Sequence, residues 1–295
     1  MRFILAILIV FFSSNCFAFW TKGTDTAPEV QTFCKRVLDD GGTVVDVEYM
    51  DKTVKLLKQL GVWSNVKFLG DANFGVKLNG SGVTKFYDLS GNNNDATQGT
   101  VANQPVWTAA VHNGKYGLVY DATDYMTLGT VIGNPASFSF VVVLSKQDIS
   151  IGRGPPMAAW DGGTLGQVRN IEIGNTGQGD LAYYFADGTN QSNGYTAAGL
   201  VSNNTVFLWV ATYLTTENYV RMFKDAGSEL AVTKVRTAAT TNAGGTVYDF
   251  TLGSTVTDNL YLIGSMMTNL VFNTALTTAH RTAIKSFLNA YYSIY

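Results

Sequence analysis

The residues best suited to chemistry lie in one short stretch, YDLSGNNNDATQ, which runs from position 87 to 98. Its carboxylate and amide oxygens are ligands that calcium accepts. The same side chains also bond to nearby backbone groups and tolerate positive φ, as a tight turn requires. The stretch lacks the Asp-x-Asp-x-Asp-Gly order of a calcium loop, so a turn is the favoured interpretation and weak calcium binding is the alternative. The candidate calcium ligands are Asp88, Asn92, Asn94 and Asp95.

Acidic residues are not spaced for glycoside hydrolysis, which needs two carboxylates held about 5 to 9 Å apart. Residues two apart on a strand share a face, so hydrolases of this kind can place the two carboxylates in a string such as Glu-x-Asp-x-x-Glu. The sequence contains no such string. Asp46 and Glu48 fall in a helical segment, Asp121 and Asp124 fall in a turn, and Glu172 stands alone on its strand. We therefore expect no catalytic residues, with a glycoside hydrolase as the less favoured alternative.

Residue counts argue against a metal site and a nucleic-acid partner. The two cysteines are Cys16 and Cys34, and the two histidines are His112 and His280, which is too few for a zinc site without distant carboxylates. Without its first eighteen residues the chain has 19 basic and 22 acidic residues, a net charge of −3. An acidic chain lacks the basic patch that binds phosphate backbones. We expect no metal, no cofactor and no nucleic acid.

Aromatic residues favour carbohydrate as the ligand, since sugar rings stack on aromatic side chains while their hydroxyls bond to asparagine, aspartate and threonine. The chain has 17 Phe, 15 Tyr and 5 Trp. The strands predicted at 181–186 and 206–213 carry apolar or aromatic residues on both faces, so one face lines a core and the other is covered or forms an open surface. For any single ring a place in the core is the favoured interpretation. The candidate binding residues are Trp160, Tyr184, Tyr195, Trp209 and Tyr213.

The first eighteen residues have the three parts of a secretory signal: Arg2, an apolar run from 3 to 12, and a small-residue end at Ala18. The run is shorter than the roughly 20 apolar residues that span a bilayer. We expect cleavage after Ala18 and a secreted, extracellular or periplasmic protein without a membrane span, and an uncleaved anchor is the less favoured alternative.

Residues 19–82 are predicted to form a helical lead-in. Apolar residues recur at spacings of three and four residues from position 30 to 38 and again from position 54 to 60. Each pattern is followed by glycine. The resulting helical hairpin has apolar stripes that pack on the rest of the chain, the favoured interpretation, or bind another copy to give a homo-oligomer.

From about position 84 the periodicity changes to two, and glycine, asparagine and threonine become frequent, which is typical of short strands joined by turns. Strands at this spacing without intervening helices predict an antiparallel sandwich or barrel. The last segment is an amphipathic helix that begins after Thr277.

The blocks VTKFYDLSGNNNDATQ, NQPVW, HNGKYGLVYDATDYM and LVFNTALTTAHRTAIKSFLNAYYS resemble the opening and closing segments of concanavalin A-like lectin/glucanase (laminin G-like) domains. This resemblance covers residues 83–295 and implies a mainly β fold, an antiparallel two-sheet jelly-roll sandwich with an N-terminal helical hairpin and a C-terminal helix. The segment before it resembles the helical lead-in of phage and prophage structural proteins.

Two positions depart from the family pattern. His280 stands where an acidic residue usually completes the helix cap, which predicts an incomplete capping box. Thr268 stands in the last strand where a glutamate is common.

Two functions remain open, because this fold serves binding proteins, enzymes and virion parts alike. The favoured one is an exported, non-catalytic protein that binds carbohydrate or a cell-surface glycan. The alternative is a structural or adhesion component of phage type, assembled through the helical lead-in.

Overall fold

The computed structural model describes residues 25–129, 131, 137–150, 152–159, 169–174, 178–186, 190–214, 216–217, 219–237, 249–255 and 260–295. Within these ranges the protein is mainly β, as the change of periodicity predicts. Its helices are α1 (Pro28–Asp39), α2 (Val47–Gln59) and α3 (Thr278–Tyr292). None of the described helices is both long and apolar enough to cross a membrane.

The strands follow in chain order and pair antiparallel throughout the described ranges. They are β1 (Thr43–Val44), β2 (Val66–Asp71), β3 (Gly75–Asn79), β4 (Gly82–Phe86), β5 (Ala96–Thr97), β6 (Val106–His112), β7 (Lys115–Tyr120), β8 (Met126–Gly129), β9 (Ser137–Lys146), β10 (Gly154–Ala159), β11 (Arg169–Ile173), β12 (Leu181–Ala186), β13 (Gln191–Thr196), β14 (Phe207–Leu214), β15 (Tyr219–Lys224), β16 (Val232–Thr237), β17 (Phe250–Leu252) and β18 (Gly264–Phe272).

Strand pairing forms one large, nearly closed sheet in two runs. The first run is β3-β4-β5-β8-β17-β10-β11-β12-β13-β16, and the second is β6-β7-β18-β9-β14-β15, with β2 also paired to β18. A pair between Gly82 and Val106 joins β4 to β6, and a bridge between Phe223 and Glu229 joins β15 to the segment before β16, so the runs are connected at both places. Strands β2 and β3 lie before position 82 and pair with β18 and β4, so sheet pairing crosses the boundary predicted there.

Aromatic side chains from both runs meet in a shared core. The ring centroids of Phe138 and Phe185 lie 6.2 Å apart, those of Phe140 and Phe250 5.8 Å, and those of Phe185 and Tyr213 4.3 Å. Alternate residues along most of these strands, such as Phe138, Phe140 and Val142 of β9, point into this core. The inner faces of the two runs are therefore buried against each other.

The three helices cover the outer face of the second run, here called the helix-covered face. Val37 of α1, Leu57 of α2 and Leu288 of α3 share one apolar cluster with Leu208 and Val210 of β14. The apolar stripes of the lead-in thus pack on the same chain, which agrees with the favoured interpretation. An oligomer formed through this segment stays a prediction.

A fully buried carboxylate joins the helices to the sheet. Asp71 Oδ2 accepts hydrogen bonds from Thr268 (2.5 Å) and from the Tyr292 hydroxyl of α3 (2.7 Å), while its Oδ1 accepts from the backbone and side-chain nitrogens of Asn73. Burial removes water from this carboxyl and raises its pKa to about 6, although those hydrogen bonds oppose the rise. Because Thr268 pairs with Asp71 in register, the acidic group at this place comes from β2 and not from β18.

The N-terminus of α3 has a complete capping box, so the expectation of an incomplete one is wrong. Thr277 Oγ1 accepts a hydrogen bond from the His280 backbone N–H at 3.2 Å, and His280 Nδ1 accepts from the Thr277 N–H at 3.4 Å. An unprotonated imidazole nitrogen accepts a hydrogen bond as a carboxylate does, so histidine replaces the usual acidic residue.

Candidate functional site

Strands β11, β12 and β13 present one polar face on the side away from the core. Their register places Asn170, Tyr184 and Asn193 in one row and Glu172, Ala182 and Tyr195 in the next. The residues between them point the other way, because Ile171, Tyr183 and Phe185 are core residues and side chains alternate along a strand. We call the surface made by these six side chains the tyrosine face.

Tyr184 and Tyr195 are the half-buried aromatic residues of this face. They lie on neighbouring strands and are diagonal to each other, a spacing of about 7–8 Å between Cα atoms. Ala182 is opposite Tyr195 and leaves a low point beside Tyr184. Two partly exposed rings around a small residue form a surface on which a flat, weakly polar ligand can stack.

Glu172 is the buried carboxylate of the face and is 1% exposed. Arg153 donates to both of its oxygens, and Asn170 Nδ2 donates to Oε1. Burial raises the pKa of Glu172 above its ordinary value, the Arg153 guanidinium and Asn170 oppose the rise, and the nearby charge of Asp180 adds to it. The Glu172 carboxylate holds the Asn170 amide in one orientation, because a flipped amide would turn its oxygen toward that carboxylate.

Asp180 directly precedes β12, and Lys146 ends β9 beside it. The backbone N–H of Gly174 donates to the Asp180 carbonyl at 2.8 Å, which places Asp180 two positions from Glu172 along the neighbouring strand. Lys146 Nζ donates to the carbonyl oxygens of Gly152 and Ile173, the latter at 3.1 Å. Burial lowers the pKa of Lys146 to about 8, although nearby carboxylates, Asp180 and Glu172 among them, oppose this shift. This cluster fixes the end of the tyrosine face.

Two amide oxygens in the row of Tyr184 are buried without a partner. Asn170 Oδ1 and Asn193 Oδ1 are shielded from solvent, and no donor in the described part of the chain lies within hydrogen-bond distance of either. Buried acceptors in native proteins are almost always bonded to protein, water or ligand. The two oxygens are therefore acceptors that this conformation leaves unbonded.

The structure brings together two of the five candidate binding residues and separates the others. Tyr184 and Tyr195 share the tyrosine face, while Trp209 and Tyr213 are fully buried in the core between the two runs. Trp209 and Tyr213 are thus out of reach of a ligand in this conformation. Trp160 lies outside the described residues.

Sequence reasoning missed the polar members of the site, Asn170, Asn193 and Arg153. The alternating pattern in RNIEI and QSNGYT could have revealed the two asparagines. It puts Asn170 on the same strand face as Glu172, and Asn193 on the same strand face as Tyr195. Sequence reasoning also treated Glu172 as a carboxylate without an acidic neighbour. The fold places Asp180 close enough to affect its pKa.

The asparagine-rich stretch at 87–98 forms a turn held by its own side chains. Asp88 accepts from the backbone N–H groups of Leu69, Ser90 and Asn94, and its 0% exposure leaves no route to solvent. Asn93 and Gly91 both have positive φ. The turn interpretation of the sequence therefore describes the geometry.

The other three candidate calcium ligands point to protein partners as well. The amides of Asn92 and Asn94 donate to the carbonyls of Val66 and Lys67, and Asp95 forms a bidentate pair with Arg36 of α1. No cluster of three or more acidic, histidine or cysteine side chains suited to a metal occurs among the described residues. Calcium binding stays a prediction that this geometry does not favour.

No family model and no curated protein matches the chain. Among solved structures it is similar to the ligand-binding domain of botulinum neurotoxin serotype D in complex with N-acetylneuraminic acid, at 13% identity and a TM-score of 0.51 over 77% of this chain and 52% of that chain. It is also similar to the receptor-binding domain of the botulinum neurotoxin C/D mosaic serotype, at 13% identity and a TM-score of 0.51 over 76% and 52% of the two chains. The chain spans about half the length of these domains, and the likeness shows a shared fold.

A shorter match is the Ruminococcus gnavus IT-sialidase CBM40 bound to α2,3-sialyllactose, at 12% identity and a TM-score of 0.42 over 51% of this chain and 83% of that chain.

Proposed function

We propose that this protein binds carbohydrate through the tyrosine face and does not cleave it. The observation that carries the proposal is the placement of two half-buried tyrosines beside buried, unpartnered amide oxygens on the outer side of β11 to β13. Aromatic faces stack on the apolar side of a sugar ring while acceptors bond to its hydroxyls. The neurotoxin domain that shares the fold was solved in complex with N-acetylneuraminic acid, which is a sugar, and this supports the same class of ligand.

We place the two runs of strands as the two sheets of an antiparallel jelly-roll sandwich of concanavalin A-like type. The shared aromatic core, the antiparallel pairing and the sparse pairing between the runs, at Gly82–Val106 and Phe223–Glu229 in the described ranges, support this arrangement. In this fold the tyrosine face is the outer surface of one sheet, since the helices cover the outer surface of the other.

The absence of catalysis is part of the proposal and rests on Glu172. Its two oxygens are held by Arg153 and Asn170, so it lacks the freedom to act as nucleophile or general base. Asp180 is the neighbouring carboxylate. Release of reducing sugar by the wild-type protein that is lost in Glu172→Gln would contradict this part of the proposal.

The signal-like segment at positions 1–18, which lies outside the described residues, supports export as part of the proposal. We propose that the mature protein meets its glycan outside the cytoplasm. Fractionation of cells that express the full chain should find a shortened product outside the cytoplasm, and a full-length cytoplasmic product would contradict export.

The test of binding is a glycan array combined with retention on insoluble polysaccharides. Tyr184→Ala and Tyr195→Ala should each lower the affinity for the best ligand by about tenfold, equivalent to about 1.4 kcal/mol of stacking. Tyr295→Ala is the matched control, because this tyrosine is 48% exposed and lies outside the face. Binding that survives both face variants would place the site elsewhere.

A further inference from the structure

We infer that the tyrosine face recognises an acidic group on its carbohydrate ligand, a carboxylate or a sulfate, with Arg236 of β16 as the residue that determines this preference; this rests on the proposed carbohydrate-binding function. Two observations carry it. The strand register extends the face from β13 onto β16, and the strands on this side of the face carry positive charge without acidic residues.

Strand β16 continues both rows of the tyrosine face. Arg236 is directly opposite Asn193, which is itself opposite Tyr184. Thr233 is directly opposite Tyr195, and the register shifts by one residue between these two pairs. Residues directly opposite each other in an antiparallel pair lie on the same face of the sheet. The tyrosine face therefore has a fourth strand.

The face is most accessible on the side of β16. Glu172 of β11 and Ala182 of β12 are 1% and 3% exposed, whereas Thr233 of β16 is exposed and its neighbour Val235 is 54% exposed. The half-buried tyrosines lie between these two extremes. A sugar stacked on Tyr195 lies one strand spacing, about 5 Å, from β16. A ligand on the rings therefore extends toward β16 rather than toward β11.

Charge on these strands favours an anionic ligand. The sequences of β12, β13 and β16, which are LAYYFA, QSNGYT and VTKVRT, contain no acidic residue. Strand β16 contributes two cations, Lys234 and Arg236. Summed charge of one sign raises the local concentration of ligands of the opposite sign. A carboxylate or sulfate at this edge therefore meets positive charge.

The carboxylates on the other side of the face are offset by cations. Glu172 forms an ion pair with Arg153. Asp180 lies near the buried ammonium of Lys146 and stabilises its charge. Their negative charge is balanced locally, so it opposes an anion at β16 only weakly.

The two cations of β16 occupy different positions. Lys234 is opposite Gly194, and its Nζ lies 3.3 Å from the centroid of the Tyr219 ring in the second run. This cation–π contact directs the ammonium away from the tyrosine face. Arg236 is the cation whose position falls in a row of that face. A guanidinium binds a carboxylate or a tetrahedral oxyanion with two parallel hydrogen bonds, which suits an acidic sugar.

The experiment presents the full chain with matched pairs of glycans on an array. In each pair one glycan carries a carboxylated or sulfated sugar, and the other is the same glycan without the acidic group. The best pair is then titrated against the wild type, Arg236→Gln, Arg236→Lys and Lys234→Gln. Lys234→Gln is the matched control, because it removes the same charge from the same strand outside the rows of the face. Circular dichroism verifies that each variant is folded.

The expected result is tighter binding of the acidic glycan, weakened about tenfold by Arg236→Gln and little changed by Lys234→Gln. Arg236→Lys should keep part of the affinity, because lysine retains the charge and loses the paired hydrogen bonds. Added sodium chloride should weaken binding of the acidic glycan more than that of its uncharged counterpart.

Equal affinity for the two members of the pair would overturn the inference while the proposed function stands. An acidic preference that survives Arg236→Gln, or that falls equally in Lys234→Gln, would overturn the role of Arg236 in the same way. Retention of no glycan in any pair would overturn the proposed function itself.

Discussion

The helix-covered face is the outer surface of the second run of strands and the tyrosine face is an outer surface of the first run, and the two faces differ in how their buried polar groups are bonded. On the helix-covered face the buried oxygens of Asp71 accept five hydrogen bonds, from Thr268, Tyr292, Tyr49 and Asn73. On the tyrosine face the oxygens of Asn170 and Asn193 are buried and unbonded among the described residues.

The difference indicates what each surface is for. A closed network of polar groups adds stability and one defined packing, whereas an incomplete one costs stability unless a partner completes it. Under the proposed function, the helix-covered face stabilises the fold and the tyrosine face binds the ligand. Substitutions on either face test this contrast.

The largest effect is expected from Asp71→Ala. The substitution leaves the hydroxyls of Thr268 and Tyr292 and the nitrogens of Asn73 buried without their acceptor. We expect a loss of about 3–5 kcal/mol in the free energy of unfolding, measured by urea denaturation at pH 5. Asp39→Ala is the control, since its exposed pair with Lys35 should contribute less than about 0.5 kcal/mol. Equal effects of the two changes would erase the contrast.

The pH dependence of stability sharpens the role of Asp71. Its pKa is about 6 in the folded protein against an ordinary 3.8, so the folded state holds a proton that the unfolded chain releases. Stability from this group is full below pH 3.8 and is lost as the pH rises through 6, a decrease of about 3 kcal/mol.

The check for this pH effect is the difference between the wild type and Asp71→Asn, which does not titrate at this position. The stability of the wild type relative to that variant should fall between pH 4 and pH 7, in urea titrations at each pH. A constant difference across this range would show that the pKa of Asp71 is the same in the folded and the unfolded state.

A smaller effect is expected at the start of α3, the helix that carries Tyr292. Thr277→Ala removes the acceptor for the His280 N–H, and loss of such a cap costs about 1 kcal/mol. Thr282→Ala, at an exposed position inside the same helix, should be neutral or slightly stabilising because alanine is the better helix former. Thermal unfolding of both variants measures the difference.

The smallest effect is expected on the tyrosine face. Asn193→Ala removes an oxygen that has no donor among the described residues, so the free energy of unfolding should change by no more than about 0.5 kcal/mol. The same variant is expected to weaken glycan binding. A loss of stability near 2 kcal/mol would instead assign Asn193 to the fold.

Several parts of the fold could be predicted because they depend on neighbours in sequence. The alternation in Ser137–Phe140 predicted β9, and the apolar spacing after Thr277 predicted α3. The turn at 87–98 followed from the preferences of asparagine and glycine for positive φ. These are local effects of side-chain period and backbone conformation.

The candidate site was only partly predictable, and β14 shows why. Both faces of this strand are buried, one in the core between the runs and one under the helices. The sequence pattern therefore could not tell which face Trp209 or Leu208 lies on. Tyr184 gave the same ambiguous signal on β12, yet it lies on the tyrosine face. The choice depends on which layers cover a strand, and that depends on residues far along the chain.

The sequence by itself determined the mainly β character, the flanking helices and the mildly acidic charge, because composition and short-range periodicity encode them. Only the tertiary structure decided that Tyr184, Tyr195, Asn170 and Asn193 share one face and that Asp71 receives its partners from β18 and α3. The physical reason is that strand register and helix packing bring together residues that are separated by tens to hundreds of positions, and no local pattern specifies those distances.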